Sequence, residues 1–182
     1  KNKNVQKNLS KYLFNVITDL GPCYIKLGQA LSTRPDLVRQ DWLNELTNLQ
    51  DNLPPFEHKV ALKTIEEELG SNIINLFEEF PNKPIASASL GQVYRAKLKE
   101  NYYVAVKVQR PGLREQITLD LYIVRNIAFW LKNNIGLIRS DLVALIDELG
   151  KRVFEEMDYL NEAKNAEKFR NMHKHNKMIA VP

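Results

Sequence analysis

The stretch PIASASLGQVYRAKLKENYYVAVKV, residues 84–108, decides how the chain folds. Its pattern is strand-like from Ile85 to Leu98 and again from Tyr102 to Val108. The polar segment 99–101 separates the two runs and is typical of a turn. Alternation places the valines of the second run on one face of the strand, and Lys107 with its alternate neighbours on the other. The stretch therefore predicts an antiparallel hairpin.

A turn of small residues lies in the first predicted strand, and a lysine lies in the second. Small side chains at Ala86-Ser87-Ala88-Ser89 leave backbone N–H groups open to a phosphate group, and Lys107 could supply a positive charge. Because alanine adopts positive φ less readily than glycine, we expect this loop to be stiffer than a glycine-rich one. Each feature also has a simpler interpretation. Small residues suit the entry to a buried strand, and a single lysine on a strand usually faces solvent.

Helical periodicity dominates the rest of the chain. Before the hairpin it predicts a helix ending at Leu20, a second from Pro22 to about Arg34, a third capped by Asp41 and reaching Leu49, and two more over Glu57–Leu69 and Asn72–Phe80. After the hairpin we expect helices over Leu113–Leu131, from Asp141 behind a Ser140 cap to about Phe154, and over Asp158–Met172, with another strand beginning at Ile179–Val181. The predicted fold class is α+β, with a helical leader over residues 1–80 and a smaller α+β unit over residues 81–182.

The composition is that of a folded protein and limits the classes of function. The chain has 182 residues, of which 26% are charged, and a net charge of +4. Basic residues concentrate at both ends, where they could contact nucleic acid or anionic lipid headgroups. Glu162 and Glu167 lie among those at the second end, which favours a solvated helix face there. Nucleic-acid binding is not expected, because aromatic interleaving and a recognition motif are both missing.

Cysteine content and hydropathy bear on the compartment. Cys23 is the single cysteine of the sequence, and no run of about 18 or more apolar residues occurs. An intrachain disulfide is therefore impossible, and no transmembrane segment is predicted. We expect a reducing compartment, either the cytoplasm or the cytoplasmic side of a membrane to which the protein binds peripherally.

Two further clusters of residues could carry function. Glu156, Asp158 and Glu162 gather in one helical stretch, where like charges repel unless lysines or Mg²⁺ compensate them. A solvated acidic face is the simpler alternative. The tetrapeptide Lys26-Leu27-Gly28-Gln29 places a glycine inside a helix, at a cost of about 1 kcal/mol relative to alanine. Gly28 thus indicates close approach of another backbone or of a ligand, unless it is a tolerated surface glycine.

Together these segments resemble the UbiB family of atypical protein-kinase-like proteins, which act in isoprenoid quinone biosynthesis and related lipid metabolism. The resemblance extends along nearly the whole chain, through Leu20-Gly21-Pro22, Lys26-Leu27-Gly28-Gln29-Ala30, Arg34-Pro35-Asp36, Leu49-Gln50-Asp51, the alanine–serine turn, Val104-Ala105-Val106-Lys107, Glu156-Met157-Asp158 and Glu162-Ala163. It implies a protein-kinase-like N-lobe, a small antiparallel sheet with helices, behind a helical regulatory leader.

The resemblance also implies a nucleotide site. Lys107 is the implied phosphate-binding lysine, and Glu162 is its partner on the helix that corresponds to helix C of a kinase. The turn of alanine and serine takes the place of a glycine-rich loop and alters nucleotide preference. The implied nucleotide contacts are Ala86, Ser87, Ala88, Ser89, Gly91, Gln92, Val93, Ala105 and Lys107.

A regulatory role for the leader follows from the same resemblance. Lys26, Gly28 and Gln29 belong to a Lys-x-Gly-Gln motif, whose leader covers the place where a protein kinase admits its peptide substrate. Glu156 and Asp158 form a Glu-x-Asp motif that is the implied partner of Lys26. With Lys107 and Glu162, they complete the implied catalytic set.

The expected activity is ATP hydrolysis, or phosphorylation of a small molecule or lipid, in support of ubiquinone or plastoquinone synthesis or lipid metabolism. The expected ligand is ATP or ADP, with Mg²⁺ held by residues outside this sequence. No His-x-Asp loop or Asp-Phe-Gly motif follows, so the chain is expected to stop before the C-lobe. The alternative is a non-catalytic scaffold or pseudokinase, with an anionic membrane surface or proteins of a lipid pathway as partners.

Overall fold

The computed structural model describes residues 2–49, 54–134 and 141–181. Within these ranges the chain forms eight helices and four strands. The helices are α1 (Asn2–Leu20), α2 (Pro22–Ser32), α3 (Gln40–Leu46), α4 (His58–Leu69), α5 (Ile73–Leu76), α6 (Leu113–Asn134), α7 (Leu142–Glu156) and α8 (Tyr159–Met172). The strands are β1 (Phe77–Glu79), β2 (Ala86–Ser87), β3 (Gly91–Leu98) and β4 (Tyr103–Gln109). This combination confirms the predicted α+β class.

Strand β3 is the centre of an antiparallel sheet. β4 pairs along its whole length, in a register that sets Val93 opposite Lys107 and Gly91 opposite Gln109. β2 and β1 pair with the two ends of β3. The predicted hairpin is therefore confirmed as β3 and β4, and a polar turn joins them, in which Asn101 has a φ of +66°.

Two predicted elements are divided, because backbone pairing overrides local periodicity. The helix predicted over Asn72–Phe80 ends at Leu76, since Phe77 enters β1 and pairs with Leu98. That partner is distant in sequence, so residues near Phe77 carry no signal of it. The strand predicted over Ile85–Leu98 is interrupted at Ala88, whose N–H donates to the carbonyl oxygen of Gly91 at 2.8 Å. β2 and β3 are thus a second, tight hairpin. Of the predicted turn, Ala86 and Ser87 instead form β2, because they pair with Val93 and Gln92, and Ala88 and Ser89 lie in the tip of the hairpin.

Several predicted element ends are also corrected. No strand forms at Ile179–Val181, because that segment pairs with no strand in the described part of the chain. α3 ends at Leu46 rather than Leu49, and Asp41 lies in its first turn rather than at its cap. Asp141 itself caps α7 by accepting from the N–H of Val143 at 3.1 Å. Ser140, the predicted cap, lies outside the described residues.

The corner between α1 and α2 forms at Gly21-Pro22, as predicted. Gly21 has a φ of +98°, a conformation that favours glycine, and Pro22 is the first residue of α2. Because the chain turns here, α2 packs against both α6 and α7. Lys26 is thereby carried toward the end of α7.

Two apolar cores support the sheet. The first lies among α2, α6 and α7 and contains the buried residues Cys23, Leu90, Leu113, Ile117, Leu149, Val153 and Met157. The second lies between α4 and the sheet and contains Ala61, Ile65, Phe77, Tyr94, Ala96 and Val108. The valines of β4 face this second core, as their alternation predicts. The start of β3 joins the two cores, because Leu90 belongs to one and Tyr94 to the other.

None of the helices in the described ranges has both the length and the apolar character that a bilayer crossing needs.

Candidate functional site

A cleft of about 710 Å³ opens beside the β2–β3 turn and Lys107, against α2, α7 and α8. The predicted site residues that line it are Lys26, Ala86, Ala88, Ser89, Gly91, Val93, Lys107, Glu156 and Glu162. Its remaining lining residues are Leu90, Arg152, Glu155, Tyr159, Asn161 and Asn165. The chain thus brings the small-residue turn and the charged motifs to one place, although they lie far apart in sequence.

Lys107 and Glu162 form an ion pair at the edge of this cleft. The Nζ atom of Lys107 lies 2.7 Å from Oε2 of Glu162, and their side chains are 44% and 58% exposed. An ion pair this exposed adds little to folding stability. Its effect is to hold the ammonium group of Lys107 beside Glu162, which lies in the first turn of α8.

The ring of Tyr159 contacts the ammonium group of Lys107, and this residue was not predicted from the sequence. Lys107 Nζ lies 4.3 Å from the centre of the Tyr159 ring. The Tyr159 hydroxyl is buried and makes no hydrogen bond in the described part of the chain. Burial, and secondarily the charge of Glu162, raises the pKa of Tyr159 to about 12. The phenol therefore stays protonated at neutral pH.

Gly91 is needed because other atoms occupy the space beside it. A β-carbon built on Gly91 would lie 2.5 Å from the carbonyl oxygen of Val108 and 2.7 Å from Oη of Tyr159. Both distances are shorter than real side chains allow, so any other residue would push β3 away from β4 or displace Tyr159. Glycine at this position keeps the turn close to Lys107.

The leader reaches the cleft through Lys26. Its Nζ atom lies 2.7 Å from Oε2 of Glu156, the last residue of α7, and the Lys26 side chain is only 12% exposed. Asp158, the other acid of the Glu-x-Asp motif, instead caps α8 by accepting from the N–H of Asn161 at 2.9 Å. A carboxylate is favourable at a helix N-terminus. The structure therefore explains Asp158 by helix capping and does not place it in the lining of the cleft.

Gly28 and Gln29 serve the packing of the leader. Gly28 is buried, and a β-carbon built on it would overlap Cδ1 of Leu49 and lie 3.4 Å from Cδ2 of Leu46. The close approach predicted here is therefore made by leucine side chains, not by a backbone or a ligand. Gln29 donates from Nε2 to the carbonyl oxygen of Leu49 at 3.0 Å. Gln50 and Asp51, the remainder of that motif, lie outside the described residues.

Three predicted nucleotide contacts do not line the cleft: Ser87, Gln92 and Ala105. Gln92 is buried on the opposite face of β3, where Oε1 accepts from the N–H of Phe56 at 3.1 Å and Nε2 donates to Oη of Tyr94 at 2.6 Å. For Ser87 and Gln92, which pair with each other, the reason is the alternation of side chains along a strand, because Gly91 and Val93 face the cleft. Ala105 lies on the same face as Lys107 but two residues further along β4, opposite Arg95.

Arg110 is a second residue that sequence reasoning missed. It directly follows β4, and its guanidinium donates to the carbonyl oxygens of Ala88 at 3.2 Å and Pro54 at 2.8 Å. The signal available in the sequence was its place between a strand and the Pro111-Gly112 pair, where the chain must turn. Which carbonyl groups it contacts could not be read from that position.

The cleft combines paired charges with small side chains. It contains two lysines, Lys26 and Lys107, each paired with a glutamate, and a turn whose side chains are small. Within the described ranges no group of three or more His, Cys, Asp or Glu side chains could hold a metal ion. Lys107 and the small-residue turn are the groups through which the cleft could contact an anionic ligand.

Comparison with known proteins gives the same family. The model of the ABC1 atypical kinase-like domain matches residues 48–182. The Synechocystis protein sll0005 is 52% identical over 182 residues, which is 100% of this chain and 27% of that protein. The chloroplastic protein ACTIVITY OF BC1 COMPLEX KINASE 3 of Arabidopsis thaliana is 44% identical over 186 residues, which is 100% of this chain and 26% of that protein.

A solved structure supports the fold. Rv3197 from Mycobacterium tuberculosis, determined in complex with erythromycin, matches with a TM-score of 0.60 and 28% identity, over 100% of this chain and 46% of that one. The chain spans about a quarter of the length of the curated relatives above. Because the domain model covers well over half of the residues, the resemblance predicted from sequence is confirmed, and the chain belongs to the ABC1 atypical kinase-like family.

Proposed function

We propose that this chain is the nucleotide-binding part of an atypical kinase or ATPase. The observation that carries the proposal is the Lys107–Glu162 ion pair of 2.7 Å, set beside the small-residue turn of the β2–β3 hairpin. Lys107 and the backbone of that turn would hold the phosphates of ATP or ADP, and ATP would supply the phosphoryl group. Mg²⁺ would be held by residues of the full-length protein outside this sequence.

Three residues beside Lys107 have a part in the proposed binding. Glu162 fixes the Lys107 ammonium by charge, and the Tyr159 ring supports it from the other side. Gly91 allows the turn to approach Lys107. These groups are in place before a ligand arrives, so little ordering is needed on binding.

In this proposal residues 1–80 are a regulatory leader and residues 81–182 are the N-lobe. Lys26 and Glu156 connect the two across the cleft. The last part of the leader joins both units, because α4 packs against the sheet and β1 is one of its strands. We further propose a role in ubiquinone or plastoquinone synthesis or lipid metabolism, in the cytoplasm or peripherally at a membrane. This finer assignment rests on the family resemblance.

The proposal is tested by nucleotide binding to the full-length protein. Lys107→Met should weaken binding of Mg·ATP, measured by isothermal titration calorimetry, by about tenfold or more, because a charged hydrogen bond to phosphate is lost. Lys97→Met is the matched control, since Lys97 forms a similar pair with Glu78 at 3.0 Å on the neighbouring strand, away from the cleft. If Lys107→Met binds Mg·ATP as tightly as the parent, Lys107 is not the phosphate contact and the proposal is wrong.

One side of α6 supports a second candidate function, that of a scaffold on a membrane surface. Leu119, Tyr122 and Trp130 are 60%, 66% and 57% exposed, and their spacing puts them on one side of the helix with Ile123 and Ile127. Exposed apolar side chains grouped in this way are typical of an interaction surface. A scaffold of this kind needs no catalysis.

Vesicle sedimentation separates the two functions. A scaffold should bind vesicles containing anionic lipid through α6, and Trp130→Ser should release it, while ATP turnover by the full-length protein stays undetectable. Turnover that Lys107→Met abolishes, with no vesicle binding, would favour the enzyme instead.

A further inference from the structure

Arg110 attaches both ends of the small-residue turn. Its backbone N–H donates to the carbonyl oxygen of Leu90 at 3.0 Å. Its guanidinium donates from Nε and Nη2 to the carbonyl oxygen of Ala88 at 3.3 and 3.2 Å, and from Nη2 to Oγ of Ser87 at 3.4 Å. One residue of the opposite strand end therefore determines how the tip of the β2–β3 hairpin is oriented.

The same guanidinium also contacts the segment of the leader that precedes α4. It donates from Nη2 to the carbonyl oxygen of Pro54 at 2.8 Å and lies 5.4 Å from the centre of the Phe56 ring. Gln92 attaches this segment separately, by accepting from the N–H of Phe56 at 3.1 Å. The Arg110 side chain thus contacts both the segment and the turn, whereas the Gln92 side chain contacts the segment but not the turn.

The bonding partners of Arg110 suit an orienting role. In the described part of the chain they are neutral oxygens, and burial lowers the pKa of the guanidinium. A planar guanidinium can donate to several oxygens at fixed angles, which a lysine cannot do. The guanidinium of Arg110 therefore fixes directions at the turn, and its loss would free Ala88 to move, while the backbone bond from Arg110 to Leu90 would remain.

We propose that Arg110 is a positioning residue that sets the conformation of the turn over residues 88–90 and thereby the preference of the cleft between ATP and ADP. The inference rests on the proposed function. The two nucleotides differ by one phosphate group, so a change in the direction of the backbone N–H groups at the turn affects them unequally. The Arg110 side chain does not line the cleft and acts through Ala88 and Ser87.

The test compares four variants of the full-length protein by calorimetric titration with Mg·ATP and with Mg·ADP. Arg110→Met should change the ratio of the two dissociation constants by about fivefold, the effect of one hydrogen bond. Arg110→Lys should change it less, because lysine still reaches one carbonyl group. Arg95→Met is the control for losing an arginine, since Arg95 contacts the Tyr103 ring at 4.3 Å and no part of the turn. The ratio of the two dissociation constants in Arg95→Met should equal that of the parent.

Gln92→Met tests the contribution of the segment at Phe56 separately from that of the turn. It should lower the melting temperature and leave the ratio unchanged, because Gln92 does not hold the turn. A ratio that shifts as far in Gln92→Met as in Arg110→Met would overturn the inference, since loosening the segment would then explain both.

Two further outcomes are also decisive. An unchanged ratio in both Arg110 variants, in a parent that binds both nucleotides, would overturn this inference alone and leave the proposed function standing. A parent that binds neither nucleotide would overturn the proposed function and this inference with it.

Discussion

Among single residues, Tyr159 has an unusual combination of contacts. Its ring supports the Lys107 ammonium at 4.3 Å, while its hydroxyl is buried without a hydrogen bond in the described part of the chain. A buried unsatisfied polar group costs about 1–3 kcal/mol. The chain keeps the hydroxyl despite this cost, and Gly91 provides the space for it.

Removing only that hydroxyl should stabilise the protein. Tyr159→Phe keeps the ring under Lys107 and removes the unsatisfied oxygen, so we expect the free energy of unfolding, measured by urea titration, to rise by about 1 kcal/mol. Tyr94→Phe is the opposite case, because the Tyr94 hydroxyl accepts from Gln92 at 2.6 Å. It should lower the free energy of unfolding by a similar amount. Equal losses in both variants would contradict the assignment of the Tyr159 hydroxyl as unsatisfied.

The buried thiol of Cys23 should make the free energy of unfolding depend on pH in the alkaline range. Burial, with a smaller contribution from Asp120, raises its pKa from 9.0 to about 12. At pH values between these two, the thiol releases its proton in the unfolded chain and keeps it in the folded protein. The free energy of unfolding should therefore fall as pH rises from 9 toward 12, by at most about 1.4 kcal/mol per pH unit for this group.

Cys23→Ala isolates that contribution. Urea midpoints measured between pH 9 and 12 should decline less steeply in this variant than in the parent. The comparison is of slopes, so the small cavity left by the substitution does not affect it. Identical slopes would show that the folded thiol ionises in its ordinary range.

At the level of elements, the packing of α2 against α3 depends on Gly28. A β-carbon there would overlap Cδ1 of Leu49 and approach Leu46 and Ile17. Gly28→Ala should therefore lower the free energy of unfolding by about 1–3 kcal/mol, the usual cost of overpacking. Helix propensity alone would predict the opposite sign, since alanine is the better helix former.

A double-mutant cycle tests whether that overlap is the cause. Leu49→Ala alone should lower the free energy of unfolding by about 2–5 kcal/mol, because Leu49 is 5% exposed. Combined with Gly28→Ala, the total loss should be smaller than the sum of the two, since the shortened side chain makes room for the new methyl group. Additive losses would mean that a contact other than Leu49 prevents position 28 from accepting a β-carbon.

The elements differ in how far the sequence could predict them. The hairpin of β3 and β4 and the long helices follow from local periodicity, and Lys107 could be placed on the exposed face by alternation alone. β1 could not be predicted, because its strand character depends on pairing with Leu98. Tyr159 and Arg110 could not be identified either. Their partners, Lys107 and Ala88, lie in other elements and meet them only after folding.

Across the whole molecule, two cores meet at the start of β3, and the cleft lies where they meet. The first core holds α2 and α7, which carry Lys26 and Glu156, and the second holds the sheet that carries Lys107. Movement of one core relative to the other would change the distance from Lys26 and Glu156 to Lys107. The Lys26–Glu156 ion pair itself joins α2 to α7 at the lining of the cleft.

Exchanging the two charges tests this link. In the full-length protein, Lys26→Glu and Glu156→Lys should each alter the affinity for Mg·ATP, because each sets like charges against each other at the cleft. The double variant should return part of the way to the parent value, as an ion pair can form with the two charges exchanged.

The matched control exchanges Arg125 and Asp147, which are paired at 2.7 Å between α6 and α7 and lie outside the cleft. Reversing them should leave nucleotide affinity unchanged. If the Lys26–Glu156 double variant binds Mg·ATP no better than the worse single variant, the ion pair itself does not couple the leader to the cleft.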